Sequence, residues 1–138
     1  MGLGKLFDLH DNCEVANALD SQTISTDTTT NGEIIDTLGF HGLEFILKAG
    51  AVADGAYTVT LEHGDDAALA DAAAVDAADV LGSIAVADTD DNAAKRIGYI
   101  GKKRYVRMNV VSTSTSSGGA FDGVAVKFSP RHAPVPNQ

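Results

Sequence analysis

Residues 54–66 read DGAYTVTLEHGDD, and this stretch decides the fold class. Tyr57, Val59 and Leu61 alternate with polar neighbours. Alternation with a period of two is typical of a β-strand that buries one face and exposes the other. The residues before it (ADG) and at its end (HGDD) are turn signals. The stretch therefore predicts a half-buried strand between two turns.

Five further stretches on either side of residues 54–66 also have strand patterns. Together with 54–66, the predicted strands are 33–37, 42–50, 54–66, 96–101, 103–115 and 119–129. The link AVADG predicts a hairpin between the second and third strands, and SSGG predicts one between the last two. Residues 67–95 are rich in Ala and Asp and predict a surface loop with at most a helical turn and a strand at GSIAVA. Six or seven short strands predict an all-β protein, a single β-sandwich of jelly-roll or immunoglobulin-like type.

The domain organisation follows from composition. The chain has 138 residues, the usual size of one domain. Residues 1–32 are polar and rich in Thr, and they predict an extended N-terminal arm that is either free or reaches a neighbouring subunit. Residues 33–129 form the predicted sandwich domain. Residues 130–138 contain all three prolines and predict an extended C-terminal tail.

The charge is strongly partitioned along the chain. Residues 1–94 hold 18 acidic and 2 basic residues, whereas residues 95–138 hold 8 basic residues and one acidic residue. The two parts carry −16 and +7, which gives the net charge of −9. This acidic balance argues against direct nucleic-acid binding. The partition favours head-to-tail contact between copies or docking on a charged scaffold, unless the basic strands pair with acidic ones inside one domain.

Motifs for catalysis are absent from the sequence. There is no P-loop, no GxGxxG and no GxSxG, and the four histidines lack metal-ligand spacing. The Asp-rich residues 88–92 start like an EF-hand, but Ala93 and Tyr99 occupy positions that need Gly and Glu; a looser calcium loop stays open as an alternative. The single cysteine, Cys13, excludes a disulfide within the chain. We expect a non-enzymatic protein without cofactors or metal.

Two absences bear on location. The N-terminal residues lack the apolar run of a signal peptide, and no stretch approaches 18 apolar residues. We therefore expect no membrane association and a protein that stays in the cytoplasm or is assembled there into something larger.

Residues 95–111, KRIGYIGKKRYVRMNVV, hold six of the ten basic residues. On the predicted strand, Lys103, Tyr105, Arg107 and Asn109 share a face that is expected to be exposed, while the opposite face joins the core. This basic face predicts a contact with another subunit or a scaffold. The alternatives are a solvated face paired with acidic neighbours and, less favoured by the net charge, a contact to phosphates.

Three pieces of the chain, in order, carry a family resemblance: IDTLGFHGLEFILKAGAVADGAYTVTLEHGDD, RIGYIGKKRYVRMNVV and SPRHAPV. They resemble small structural proteins encoded among the head genes of tailed bacteriophages and phage-like particles, over residues 33–135. The resemblance implies a non-enzymatic virion protein with a β-sandwich fold that decorates or cements the capsid. A vertex spike base or a tail component is the alternative, and a carbohydrate-binding adhesion module is the alternative from another class.

The resemblance also implies contact elements and partners. The major capsid protein and further copies of this chain are the expected partners, with a trimer favoured over a pentamer, and neither nucleic acid nor membrane is expected. The expected location is the capsid surface of the virion, after assembly in the host bacterial cytoplasm. The candidate interface residues are Arg96, Lys102, Lys103, Arg104, Tyr105, Arg107, Arg131 and His132.

Overall fold

The structure, a computed structural model, describes residues 8–136 and residue 138. Short 3₁₀ turns at His10–Asn12 and Ala77–Asp79 accompany the strands. The strands are β1 (Cys13–Ile24), β2 (Thr29–Asp36), β3 (Phe40–Val52), β4 (Ala56–Gly64), β5 (Ala73–Ala74), β6 (Val80–Leu81), β7 (Ala85–Ala87), β8 (Ala94–Tyr99), β9 (Tyr105–Thr113) and β10 (Gly119–Pro130).

The strands form two antiparallel sheets that pack face to face. The first sheet has the order β1-β10-β3-β8-β6, and the second has the order β2-β9-β4, with β5 and β7 both paired to β4. Without the two-residue strands β5 and β6, the order is β1-β10-β3-β8 against β2-β9-β4-β7. Consecutive strands alternate between the sheets except for β4 and β7, which pair within the second sheet, as in a jelly roll. The predicted all-β sandwich is confirmed, and the strand order selects the jelly roll over the immunoglobulin-like alternative.

Both predicted hairpins are wrong. β3 and β4 lie in different sheets, and so do β9 and β10. Both edges of β3 are already occupied, since Phe45 pairs with Ala125 on one side and Ile97 on the other. The link after β3 therefore crosses to the opposite sheet, and Gly55, with φ of +94°, supplies a left-handed backbone conformation at that crossing.

The predicted boundary of the N-terminal arm needs correction. Residues 13–24 form β1, which pairs with β10 along its whole length. Leu19 and Ile24 are buried in the core, while Ser, Thr and Gln side chains occupy exposed positions. The exposed polar residues made an edge strand resemble an arm. Residues 1–7 of the predicted arm lie outside the described residues.

The core lies between the sheets. The predicted inward-facing residues of β4 and β9 are buried as expected, and burial of a side chain of this size contributes about 1.5–3 kcal/mol. The prediction for Asn109 is wrong: its side chain is only 2% exposed although it lies on the outer face of β9. The largest fully buried apolar side chains are Leu19, Phe45, Leu47, Tyr57, Val106, Met108, Val110 and Phe121.

The region 67–95 is irregular, as predicted, with only short strands and one 3₁₀ turn. Leu69 anchors it in the interior at 5% exposure. The carboxylate of Asp66 accepts the backbone N–H groups of residues 68 and 70, and that of Asp71 accepts those of residues 65 and 66. Aspartates thus shape the loop by accepting backbone hydrogen bonds. Within the described part of the chain, no helix is long and apolar enough to cross a membrane.

The C-terminal tail packs on the sandwich. Val135 is buried, and its N–H donates to the Asp11 carbonyl at 2.8 Å. The side-chain amide of Gln138 bonds both the N–H and the carbonyl of Val15, at 2.7 and 2.6 Å. The tail therefore covers part of the outer edge of β1, which protects an edge strand from pairing with another chain.

Candidate functional site

A basic cleft of about 270 Å³ opens at one end of the sandwich. It lies where the β2–β3 turn, the β8–β9 loop and the end of β10 meet. The sequence separates these segments by up to 94 positions, so only the fold brings them together. The lining residues are Thr37, Leu38, Phe40, His41, Gly42, Leu43, Tyr99, Gly101, Lys102, Lys103, Arg104 and Arg131.

Tyr99 fixes the loop that carries the basic residues. Its hydroxyl accepts the backbone N–H of Lys103 at 2.9 Å and lies 2.8 Å from Nδ1 of His63. Gly101 sits against the Tyr99 ring so closely that a Cβ there would lie 2.5 Å from ring atoms. Burial raises the pKa of Tyr99, so the hydroxyl stays protonated at neutral pH. The loop is thus held in one conformation that presents its lysines outward.

Further hydrogen bonds join the chain segments that surround the cleft. The Arg104 carbonyl accepts both the N–H and the hydroxyl of Thr37, at 2.9 and 2.7 Å. The Arg131 N–H donates to the Gly39 carbonyl at 2.8 Å, and Gly39 has a left-handed φ of +90°. These bonds join the β2–β3 turn to the basic loop on one side and to the end of β10 on the other.

Two of the cleft's cations are neutralised by the chain itself. Arg104 donates two hydrogen bonds of 2.8 Å to Asp36, and this fork-like pairing lowers the pKa of Asp36 to about 2. Lys103 lies 2.6 Å from the Asp65 carboxylate, and this hydrogen bond raises the pKa of Lys103. Both pairs are exposed, so they stabilise the fold only modestly.

Lys102 and Arg131 are different. Both are exposed, and neither has a carboxylate within salt-bridge distance among residues 8–136 and 138. The cleft therefore keeps two positive charges that its own acidic residues do not neutralise. Such a surface is suited to an anionic group on a partner.

The structure thus brings together only part of the predicted interface. Four of the predicted interface residues line the cleft, namely Lys102, Lys103, Arg104 and Arg131. Tyr105 lies beside them, with the Arg104 guanidinium 5.0 Å from its ring centroid. His132 follows Arg131 in the tail and is exposed.

Arg96 and Arg107 lie elsewhere. Arg96 is on the outer face of the first sheet, 83% exposed and 3.9 Å from Glu44. Arg107 is on the outer face of the second sheet, where it forms a half-buried pair with Glu62 at 2.5 Å. That pairing lowers the pKa of Glu62. For Arg107 the structure matches the alternative of a basic strand paired with an acidic neighbour.

The outer face of the first sheet carries an apolar stripe that sequence reasoning did not identify. Val15, Val124 and Phe128 are 44%, 37% and 40% exposed. Ladder pairing joins Val15 to Val126 and Val124 to Ile46, so the side chains are contiguous across three strands. We define the apolar stripe as Val15, Ile46, Val124, Val126 and Phe128.

The alternation of residues in β10 places Val124, Val126 and Phe128 on one face of the strand. Phe121 and Ala125 occupy the inward positions, so Val124, Val126 and Phe128 must face outward. Gly123 also faces inward, where a Cβ would lie 2.8 Å from the Met108 side chain. Small inward residues leave room for the large side chains of the opposite sheet, which the sequence of β10 alone does not reveal.

A metal site finds no support in the part of the chain described here, where no three His, Cys, Asp or Glu side chains could hold an ion together. In the segment that suggested a calcium loop, Asp90 accepts the Ala87 N–H at 2.9 Å and Asp91 accepts the Val52 N–H at 2.8 Å. Asp90 thus stabilises a turn in its own loop, and Asp91 joins the loop to the end of β3.

Comparison with known proteins gives distant structural similarities only. No family model matches the chain, and no curated protein matches it. A chain of the Bacillus endospore appendages, described as disulfide-linked pili, aligns with a TM-score of 0.47 at 12% identity, covering 85% of this chain and 88% of that one. The SPBc2 prophage-derived protein YomS aligns with a TM-score of 0.47 at 10% identity, covering 84% and 94%.

A third similarity is to a chain of infectious bursal disease virus, Gx strain. Its TM-score is 0.49 at 14% identity, and it covers 88% of this chain but 34% of the viral chain. Identities and TM-scores this low do not carry a function from these proteins to this chain.

Proposed function

We propose that this protein is a non-enzymatic structural component of a bacteriophage particle. In this proposal it decorates or cements the capsid by binding the lattice of the major capsid protein as an oligomer. The ordered sequence resemblance to phage head proteins motivates the proposal. One observation of the structure carries it: two accessible surfaces of different chemistry, the basic cleft and the apolar stripe, lie on different parts of one rigid sandwich.

A decoration protein needs two kinds of contact, one between copies and one to the shell. We assign the apolar stripe to the shell contact, because exposed contiguous apolar patches commonly mark protein interaction sites. We assign the basic cleft to an acidic protein surface. Each contact can be weak, since linked copies on a repeating lattice bind with an avidity that exceeds the single-site affinity by about 10²–10⁴-fold.

The proposed oligomer is a trimer rather than a pentamer. A contact between unlike surfaces of identical chains is heterologous, and it closes into a ring when the rotation between copies allows it. A capsid provides three-fold positions for a trimer and five-fold vertices for a pentamer. The number of copies in the oligomer therefore determines which symmetry position on the capsid it occupies.

The first test combines native mass spectrometry of the full chain with binding to undecorated shells. We expect a trimer that occupies many sites per shell. Binding restricted to vertices by a pentamer would favour the spike-base alternative, and a chain that ignores shells would contradict the proposal.

A matched pair of variants tests the shell contact itself. Val124→Asp places a charge in the apolar stripe, whereas Thr60→Asp places one on the outer face of the second sheet, where Thr60 is exposed. We expect Val124→Asp to reduce shell occupancy roughly tenfold or more and Thr60→Asp to leave it unchanged. Equal binding by the two variants would contradict the assignment of the stripe.

A further inference from the structure

One end of the sandwich holds the basic cleft, and the opposite end is acidic. The basic cleft lies at the end where Cys13 pairs with Phe128, and the opposite end lies where Ile24 pairs with Gly119. At about 3.4 Å per residue, β10 separates the two ends by roughly 30 Å. We call the opposite end the acidic end and define it by the loops 25–28, 53–55, 88–93 and 114–118.

The acidic end keeps its charge although its carboxylates are well hydrogen-bonded. Asp54 accepts the backbone N–H groups of residues 116, 117 and 118, and Asp27 accepts the N–H and hydroxyl of Thr115. These bonds lower the pKa values of both aspartates without neutralising them. The end holds Asp27, Asp54, Asp88, Asp90 and Asp91.

Among residues 8–136 and 138, two lysines adjoin these five aspartates. Lys95 lies 3.6 Å from Asp90, and the Lys48 ammonium donates to the carbonyls of Ala49 and Asn92. The end is therefore left with three more negative than positive charges. Asp88 and Asp91 are exposed in the 88–93 loop. This loop presents carboxylates to any partner that approaches along the long axis of the sandwich.

We propose that the acidic end of one copy docks in the basic cleft of the next copy, with Asp88 approaching Lys102 and Arg131. This inference rests on the proposed function for the need of an oligomer and adds the identity of the contact. The cleft of about 270 Å³ corresponds to about nine water volumes, which is room for one or two carboxylate side chains. Because the two surfaces differ, the contact is head-to-tail; it gives a ring when the rotation between copies closes and an open filament when it does not.

Two charge-reversed variants of the full chain test this contact. Lys102→Glu/Arg131→Glu removes the free charges of the basic cleft, and Asp88→Lys/Thr89→Lys reverses the tip of the acidic end. All four side chains are exposed, so both variants are expected to fold. By native mass spectrometry each variant alone should be monomeric, while an equimolar mixture should give oligomers that contain both variants in equal numbers, since the two intact surfaces pair and so do the two reversed ones. The chain with all four changes should assemble with itself.

Opposite outcomes overturn the inference. If either double variant keeps the wild-type oligomer, or if the mixture stays monomeric while both variants are folded, the contact is not head-to-tail through these ends. A monomeric wild-type chain also overturns it. A matched single pair adds a control, since Lys102→Glu and Arg96→Glu change the net charge equally. Lys102→Glu should weaken self-association roughly tenfold or more, and Arg96→Glu should leave it unchanged.

Shell binding separates this inference from the proposed function. If the double variants keep the wild-type oligomer and still decorate shells, the head-to-tail contact fails and the decoration role stands. If the variants become monomeric and pair as expected but the wild-type oligomer ignores shells, the decoration role fails and the contact stands.

Discussion

The basic cleft and the loops 25–28 and 53–55 of the acidic end use aspartate in different ways. At the acidic end, Asp54 and Asp27 accept backbone N–H and hydroxyl groups from the β9–β10 loop. At the basic end, Asp36 and Asp65 pair with Arg104 and Lys103. A carboxylate that accepts N–H groups keeps its charge, whereas one paired with a cation is neutralised.

This difference explains why ion pairs within the chain do not cancel the uneven charge distribution of the sequence. The basic cleft is lined by four cations, and Asp36 and Asp65 neutralise two of them, which leaves Lys102 and Arg131. The acidic end satisfies Asp27 and Asp54 with uncharged donors, which leaves net negative charge. Local hydrogen bonding can therefore be complete at both ends while each end stays available to a partner of opposite charge.

The largest expected effect comes from a carboxylate that has neither kind of partner. Val106→Asp places one in the core, where Val106 is 0% exposed. A buried charge without a cation or N–H donors costs more than about 4 kcal/mol, so the domain should not fold. Circular dichroism should show loss of strand structure, whereas Thr60→Asp should keep it. A folded Val106→Asp domain would show that charge placement matters less than inferred here.

The next largest effect is expected when a carboxylate that accepts backbone N–H groups is removed. Asp54→Ala leaves three backbone N–H groups of the β9–β10 loop without their acceptor. The thermal midpoint should fall clearly. Asp88→Ala should leave it close to the wild-type value, because within the described part of the chain the Asp88 carboxylate accepts no backbone hydrogen bond. Equal midpoints for the two variants would mean that the Asp54 bonds are dispensable.

A smaller loss of stability is expected when the charge of a basic side chain is reversed. The Arg107 side chain is 18% exposed and that of Glu62 31%, so Arg107→Glu sets two carboxylates together in a half-buried site and should cost about 1–2 kcal/mol. Lys103→Glu faces Asp65 at an exposed site and should change the urea midpoint less. The sequence places both residues on a solvent-facing surface, so similar midpoints would favour that simpler view.

The smallest effect is a pH dependence at the basic end. The pKa of Asp36 falls from 3.8 to about 2, mainly because Arg104 donates to the carboxylate. A folded-state pKa below the unfolded value means that this stabilisation is present above about pH 4 and is lost as the pH falls toward 2. Asp36→Asn should remove most of the pH dependence of the urea midpoint in that range. An unchanged pH profile would show that the pair of Asp36 and Arg104 contributes nothing to stability.

The strands were largely predictable because side-chain alternation is local. Tyr57, Val59 and Leu61 in β4 have the period of a half-buried strand, and their burial confirms it. The edge strand β1 escaped prediction because most of its exposed residues are polar and its backbone contains register shifts after Asn17 and Leu19. Bulges disturb the period of two on which strand prediction depends.

The candidate site was predictable only in its residue types. The excess of basic residues near position 100 is visible in the sequence, yet which of them are neutralised depends on partners far along the chain. Arg104 meets Asp36 and Arg107 meets Glu62, across separations of 68 and 45 residues. The two cations left over, Lys102 and Arg131, emerge only after those pairings are known.

The sequence by itself determined the all-β class, most of the strands and the uneven charge, because these depend on composition and on the period of neighbouring residues. Only the tertiary structure decided which sheet each strand joins, which face of β10 turns inward and which cations stay unpaired. Those outcomes depend on packing between residues distant in sequence. Gly123 faces inward because Met108 of the opposite sheet fills the space beside it, and Val124 is thereby left on the surface.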